Sequence, residues 1–207
     1  MKDASGIIAD WKRRLIAMAD NPPYVFKNTP QKLIDQHYQH LTSFVGYSQL
    51  EVETAEKFLG LRLPTLFRTY LLEMGRSPGD LFCGSDLAKG PADLMSYKKY
   101  AQEKVAEADT NWTLPREAVV FLSHQGYQFD YILASDPFDG PVMTWSEIDP
   151  EPIEIAPTFE KYVDRILSGS ENLDKSNRNS GGYYLTIHPD GGTSQSYPAA
   201  DDEPPLK

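Results

Sequence analysis

A single cysteine, Cys83 in the stretch LFCGS, is all the thiol chemistry that this 207-residue chain carries. One thiol excludes an internal disulfide and any zinc cluster built on several cysteines, and the plain expectation for it is a small buried hydrophobe. Long apolar runs are missing as well. No stretch approaches the 18 or so residues that a membrane span needs, and the first residues lack the apolar block of a signal peptide. An intracellular, cytoplasmic protein with no membrane association is the expectation. Basic residues are missing from one long segment: between Glu117 and Glu160 there is no lysine or arginine, but nine acidic residues. Because the whole chain holds 30 acids and 20 bases, nearly all of its net charge of −10 lies there. Binding to nucleic acid through phosphate neutralisation is disfavoured, whereas attraction of a basic partner is favoured.

What is present reads as one α+β body with appendages. In ASGIIADWKRRLIAMA, residues Ile7, Ile8, Trp11, Leu15 and Met18 fall on one helical stripe. NPPYVFKNTP reads as a loop, and a second helix is expected from Pro30. SQLE supplies a capping box of Ser48 and Glu51, so a helix should begin there and stop at Gly60. PTLFRTYLLEMG gives another helix with Leu66, Phe67, Tyr70, Leu71 and Met74 on one face and Gly75 as a left-handed stop. GDLFCG fits a short strand. A helix with Leu94, Tyr97 and Val105 inward comes next.

The period then changes. AVVFLS, YQFDYILA and PVMTWSE are short, β-branched or aromatic, and separated by turn chemistry at HQG and DPFDG, which predicts an antiparallel meander. TFEKYVDRIL closes the body as a helix with Phe159, Val163, Ile166 and Leu167 on one face. Residues 169–182 hold almost nothing apolar and read as a polar linker. YYLTIHPDGGTSQSYP, residues 183–198, reads as a β-hairpin that must dock on the body to be stable, and 199–207 as a loose tail.

The candidates for chemistry are few. His37 and His40 share one side of a helix without an identifiable third ligand, and DPFDG lacks the ligand run of a calcium loop. Neither Gly-rich segment lies between a strand and a helix, as a phosphate cradle requires. Ser123 and His124 are adjacent on a strand and so point to opposite faces. In FLSHQGYQFDYIL the glycine gives the positive φ of a hairpin turn, and Tyr127, Phe129, Tyr131 and Leu133 share a core face. Gln128 and Asp130 are then expected on the opposite, open face. No catalytic residue, metal site or cofactor is expected. A hydrolase would require His124 beside a carboxylate in a cleft.

The order of these signals resembles the SUKH superfamily. YSQLEVETAEKFLGLRLP, PTLFRTYLLEMGR, DLFCGSDL, FLSHQGYQFDYIL, DGPVMTW and APTFEKYVDRIL carry the likeness over roughly residues 46–168, with residues 1–45 as an N-terminal helical segment. More narrowly, they are similar to the branch named after the fungal regulator of cell-wall synthesis, the Smi/Knr-type domains. EMGRSPGD stands where an Asn-Gly-Gly-like helix end is frequent in the family. The resemblance implies an antiparallel sheet with helices packed on it and no catalytic set. In bacteria it implies an immunity protein that neutralises a cognate toxin by protein–protein contact, and in fungi an adaptor in cell-wall signalling. Joined to the charge pattern, the expected partner is a basic toxin domain, with nucleases among the candidates. The expected contact residues are Asp130, Asp136, Asp139, Glu147 and Asp149, with His124, Gln125 and Gln128 at the hairpin.

Overall fold

The structure is a computed structural model that describes residues 3–108, 110–198 and 205–206. Helix α1 (Ala4–Asp20) buries Ile7, Ile8, Trp11 and Leu15, the stripe expected from their spacing, and Asp3 caps it by accepting the Gly6 N–H at 2.7 Å. After β1 (Tyr24–Phe26) come α2 (Gln31–Thr42), β2 (Phe44–Val45), α3 (Gln49–Leu59) and α4 (Thr65–Met74). The Ser48–Glu51 capping box is formed and Gly60 ends α3 at φ +66°. Gly75 departs from expectation, with φ −64°: it ends α4 in a right-handed conformation, packed so closely on Leu71 that an added Cβ would lie 2.8 Å from its Cα. Space, and not a positive φ, requires glycine there.

The next elements are β3 (Ser77–Pro78), β4 (Asp86–Leu87) and α5 (Pro91–Glu107), followed by β5 (Ala118–His124), β6 (Gln128–Leu133), β7 (Val142–Ser146) and β8 (Ile153–Ala156). Strands β4 to β8 form one antiparallel sheet in sequence order, which is the expected α+β meander. GDLFCG is a turn and not a strand; the strand falls on Asp86–Leu87 instead. Cys83 in that turn is exposed and not buried.

Both faces of the sheet are covered. Ala101 and Val105 of α5 pack on Val120, Phe129, Tyr131 and Trp145 on one face. The other face puts Phe121, Ile132 and Val142 against Phe67, Tyr70 and Phe159 of the remaining helices. The expectation of an open face carrying Asp130 is thereby corrected. Ile132, Leu122 and Val142 share that face, and burying such side chains contributes roughly 1.5–3 kcal/mol each. Together they outweigh the cost of enclosing one hydrogen-bonded carboxylate. Tyr127, expected in the core row, is 40% exposed, because it lies in the turn beyond the paired strands.

Helix α6 (Phe159–Asn179) runs through most of the segment expected to be a linker. Its polar second half is held by charge and not by apolar burial. Arg14 on α1 pairs with Asp164 at 3.2 Å and Glu171 at 2.7 Å, and Arg178 donates to the Asn21 carbonyl at 2.6 Å. Strands β9 (Tyr183–Ile187) and β10 (Thr193–Ser196) form the expected hairpin, and β9 docks by pairing in parallel with β1, which had read as loop. Of the expected loose tail, 199–204 and 207 lie outside the described residues; Leu206 donates its N–H to the Gly181 carbonyl.

Candidate functional site

A β-bulge sets up the site. Before it, Ala118 and Val120 face α5 while Val119 faces the other side; between Val120 and Leu122 the register slips by one residue. From there the even-numbered residues of β5 face α6, because a one-residue slip exchanges the faces of a strand. Leu122 therefore stands opposite Asp130, and His124 opposite Gln128, on the α6 side. The turn that follows has Gln125 at φ +50° and Gly126 at φ +80°, with the Tyr127 N–H bonded to the His124 carbonyl. That is the geometry of the mirror-image turns that match strand twist.

At this end of the sheet a polar row crosses the strands. Ser85 Oγ lies 3.0 Å from His124 Nδ1, and His124 Nε2 lies 3.5 Å from Asp130 Oδ2. The Tyr162 hydroxyl, on α6, donates to the same Asp130 oxygen at 2.6 Å. Gln128 donates to Thr144 Oγ1 at 3.0 Å. The row borders a cavity of about 400 Å³ whose walls include Phe82, Ser85, His124, Asp130, Tyr162 and Arg165. Asp130 is only 3% exposed, and its Oδ1 has no hydrogen-bond partner. The hydrogen bond to Asp130 raises the His124 pKa above its ordinary 6.5, against the opposing effect of burial. Burial, reinforced by the Asp130 charge, pushes the Tyr162 phenol far above its usual range, so it serves as a donor.

The expected contact residues divide between the two ends of the sheet. His124, Gln125, Gln128, Glu147 and Asp149 lie together, because the Glu147 N–H bonds to the Tyr127 carbonyl and so ties the β7–β8 turn to the hairpin tip. Glu147, Ile148, Asp149 and Glu151 are exposed there, Ile148 to 86%, and Glu147 pairs with Lys104 at 3.0 Å. Asp136 and Asp139 occupy the opposite end, in the β6–β7 turn. Asp136 is exposed and accepts the N–H groups of Phe138 and Asp139, which depresses its pKa. Asp139 is buried and accepts the N–H groups of Gly140, Phe159 and Glu160, closing the N-terminus of α6. Two of the expected surface acids, Asp130 and Asp139, are thus interior hydrogen-bond acceptors.

Sequence reasoning missed Ser85, Thr144, Tyr162 and Arg165. Tyr162 had a signal, since it stands three residues beyond Phe159 on the same helical face. Ser85 had none, being brought to His124 only by the pairing of β4 with β5. Among the described residues, no group of three or more His, Cys, Asp or Glu is placed to hold a metal ion, and no helix is long and apolar enough to cross a membrane.

An antiparallel meander clamped between one helix on one face and several on the other defines an α+β domain with a polar row at its hairpin end. The chain belongs to the SMI1 / KNR4 family (SUKH-1), which matches residues 46–165, more than half of its length. No curated protein matches the chain.

Proposed function

We propose that the chain is a cytoplasmic immunity protein that binds and neutralises a cognate basic toxin domain by contact and not by catalysis. The carrying observation is the exposed end of the sheet where Glu147, Asp149 and Glu151 surround the protruding Ile148 beside the hairpin tip of Gln125 and Tyr127. An apolar side chain flanked by three carboxylates, of which Glu147 is paired with Lys104, suits recognition of a basic protein surface, and the net negative charge speeds encounter. A nuclease is an apt partner class, because carboxylates at this end can take the places of phosphates in a basic active site.

Co-expression with the toxic domain encoded beside it tests the reading. Survival and a purified complex are expected, and replacement of Glu147, Asp149 and Glu151 by lysine should weaken the complex at least about tenfold. Unchanged affinity of that variant overturns the surface. A growth defect on deletion with no toxin present would instead support an adaptor role.

A second reading rests on the Ser85–His124–Asp130 row, which places a hydroxyl, an imidazole and a carboxylate in the order used by acyl-transfer hydrolases. Against it, Asp130 is held more closely by Tyr162 than by His124, and the Ser85 N–H is committed to the Phe82 carbonyl at 3.2 Å and so is no oxyanion donor. Turnover of p-nitrophenyl acetate that disappears in Ser85→Ala would establish it.

A further inference from the structure

The residues that match the family end at 165, yet α6 runs on to Asn179, and the two ends of the chain outside 46–165 are joined to each other. Strand β1 pairs in parallel with β9, and Arg14 on α1 holds Glu171 on α6 at 2.7 Å. Where these additions meet the family domain lies a cavity of about 500 Å³, within the roughly 300–1,000 Å³ of ligand sites. Among the described residues that line it, only Asp80 and Cys83 fall within 46–165, and none is lysine or arginine. Leu15, Met18, Leu41 and Leu185 form its apolar wall. The register partners Tyr24 and Tyr183, with ring centroids 5.5 Å apart, add an aromatic wall.

Two carboxylates reach this space from different elements. Asp80, between β3 and β4, is accessible to solvent, and Asp174 on α6 is half-buried. Loss of surrounding water raises the pKa of both, and the Asp80 charge adds to the rise at Asp174. Both charges also act on the Tyr24 and Tyr183 phenols, where they reinforce the rise caused by burial, so the two carboxylates face a common space. Such a pair disfavours its own ionised form, and an incoming cation relieves it. Arg178 offsets the Asp174 charge from outside the lining, and its guanidinium is bonded to the Asn21 carbonyl at 2.6 Å. His37, whose Nε2 lies 2.7 Å from the Tyr24 hydroxyl, is lowered by burial below the ordinary 6.5 and so adds no charge at neutral pH. His40, the other imidazole of the lining, is exposed.

We infer that this cavity binds a small primary amine with an apolar or aromatic body, its ammonium shared by Asp80 and Asp174 and its body against Tyr24, Tyr183 and the leucines. An ammonium carries three donors, enough for two carboxylates, and aromatic faces attract a cation as well. The guest would touch α1, β1, α6 and β9 together with the turn that carries Asp80, and so fasten the additions to the family domain. The site is distinct from the acidic end around Glu147 and stands whether or not the chain neutralises a toxin.

The test titrates 2-phenylethylammonium, and in parallel the uncharged 2-phenylethanol, into the full chain and follows backbone amides by NMR. Saturable shifts at Tyr24, Asp80, Asp174 and Tyr183 are expected for the amine alone, with a higher melting temperature at saturation, because the guest binds the folded chain. Asp174→Asn should weaken binding roughly tenfold to a hundredfold, the loss of one charged hydrogen bond, without lowering the melting temperature of the free chain. Asp80→Asn should weaken binding to the same degree, which keeps the test decisive if one of the two variants folds poorly. Replacement of Glu147, Asp149 and Glu151 by lysine should leave amine affinity unchanged in about 0.15 M salt, which screens distant charges. Non-saturating shifts, equal binding of 2-phenylethanol, unchanged affinity in either folded asparagine variant, or loss of binding in the lysine variant would each overturn the site.

Discussion

The Tyr162 hydroxyl and Asp130 Oδ2, 32 residues apart in the chain, stand 2.6 Å apart in the interior and join α6 to the middle strand of the sheet. Helix and sheet here meet through a charged hydrogen bond set within an aromatic cluster, for the Tyr162 ring also stacks on Phe82 and Phe159. Tyr162→Phe keeps the ring contacts and removes only the donor. It should destabilise the chain by about 1.5–3 kcal/mol, the range for a hydrogen bond to a charged group. Urea denaturation with an unchanged m-value checks this; a shift under about 0.5 kcal/mol would mean that water or His124 replaces the phenol.

His124 should make stability depend on pH in a definite direction. Its folded pKa is raised above the ordinary 6.5, first by the hydrogen bond to Asp130. A group raised on folding holds more proton in the folded than in the unfolded state, so its contribution is complete below pH 6.5 and fades as pH rises through the raised value. The difference in melting temperature between the parent chain and His124→Gln should therefore be largest near pH 5.5 and shrink toward pH 8. The surrounding charges, Asp86 and Asp130, stay in both proteins, so the difference isolates the imidazole. A gap that is constant across this window would place the effect in packing and not in charge.

What could be read ahead of the structure divides along the range of the interactions. The Ser48–Glu51 box, the stop at Gly60 and the HQG turn each depend on residues within a few positions of one another, and all stand where the residues indicate. The aromatic row of Phe129 and Tyr131 is likewise a local alternation. The orientation of His124 depends on a bulge inside AVVFLS, a uniformly apolar run in which period-2 alternation gives no sign of a slip. The burial of Asp130 depends on α6, and the helicity of residues 169–179 on ion pairs with α1, both more than 30 positions away. Composition alone reads such a helix as a linker because its anchoring groups are the polar ones.

Asp139 shows how an acidic stretch can carry structural charge. It receives the N–H groups of Phe159 at 2.9 Å and Glu160 at 3.0 Å, two donors that a helix start leaves unpaired, and Thr158 takes that of Lys161 at 3.1 Å. Burial raises its pKa and the backbone donors work against that rise. Asp139→Ala should cost about 1–3 kcal/mol, since the backbone N–H groups of Gly140, Phe159 and Glu160 lose their acceptor. Affinity for a basic partner should stay nearly unchanged once the variant is folded, because a buried carboxylate bonded to the backbone presents no surface for a partner to touch. Isothermal titration on a folded variant separates these outcomes: a large loss of affinity would return Asp139 to the contact surface.

Gly169 gives the sharpest test of whether α6 continues through the polar segment. It lies inside the helix, and an added Cβ would meet nothing within 4 Å. Glycine in a helix interior costs about 0.5–1 kcal/mol relative to alanine, because more backbone freedom is lost on folding. Gly169→Ala should therefore raise stability by that amount in urea denaturation, with no new contact formed. In a flexible linker the same change would leave stability unaltered, since the position would be equally free before and after folding. The gain should also depend on the anchor. With Arg14→Ala, which frees Glu171 from α1 while Asp164 keeps the Trp11 indole N–H, the second half of α6 loses its ion pair with α1, and the benefit of Gly169→Ala should fall. A double-mutant cycle over the two positions measures that coupling, and strict additivity would show that the helix persists without the charges that hold it.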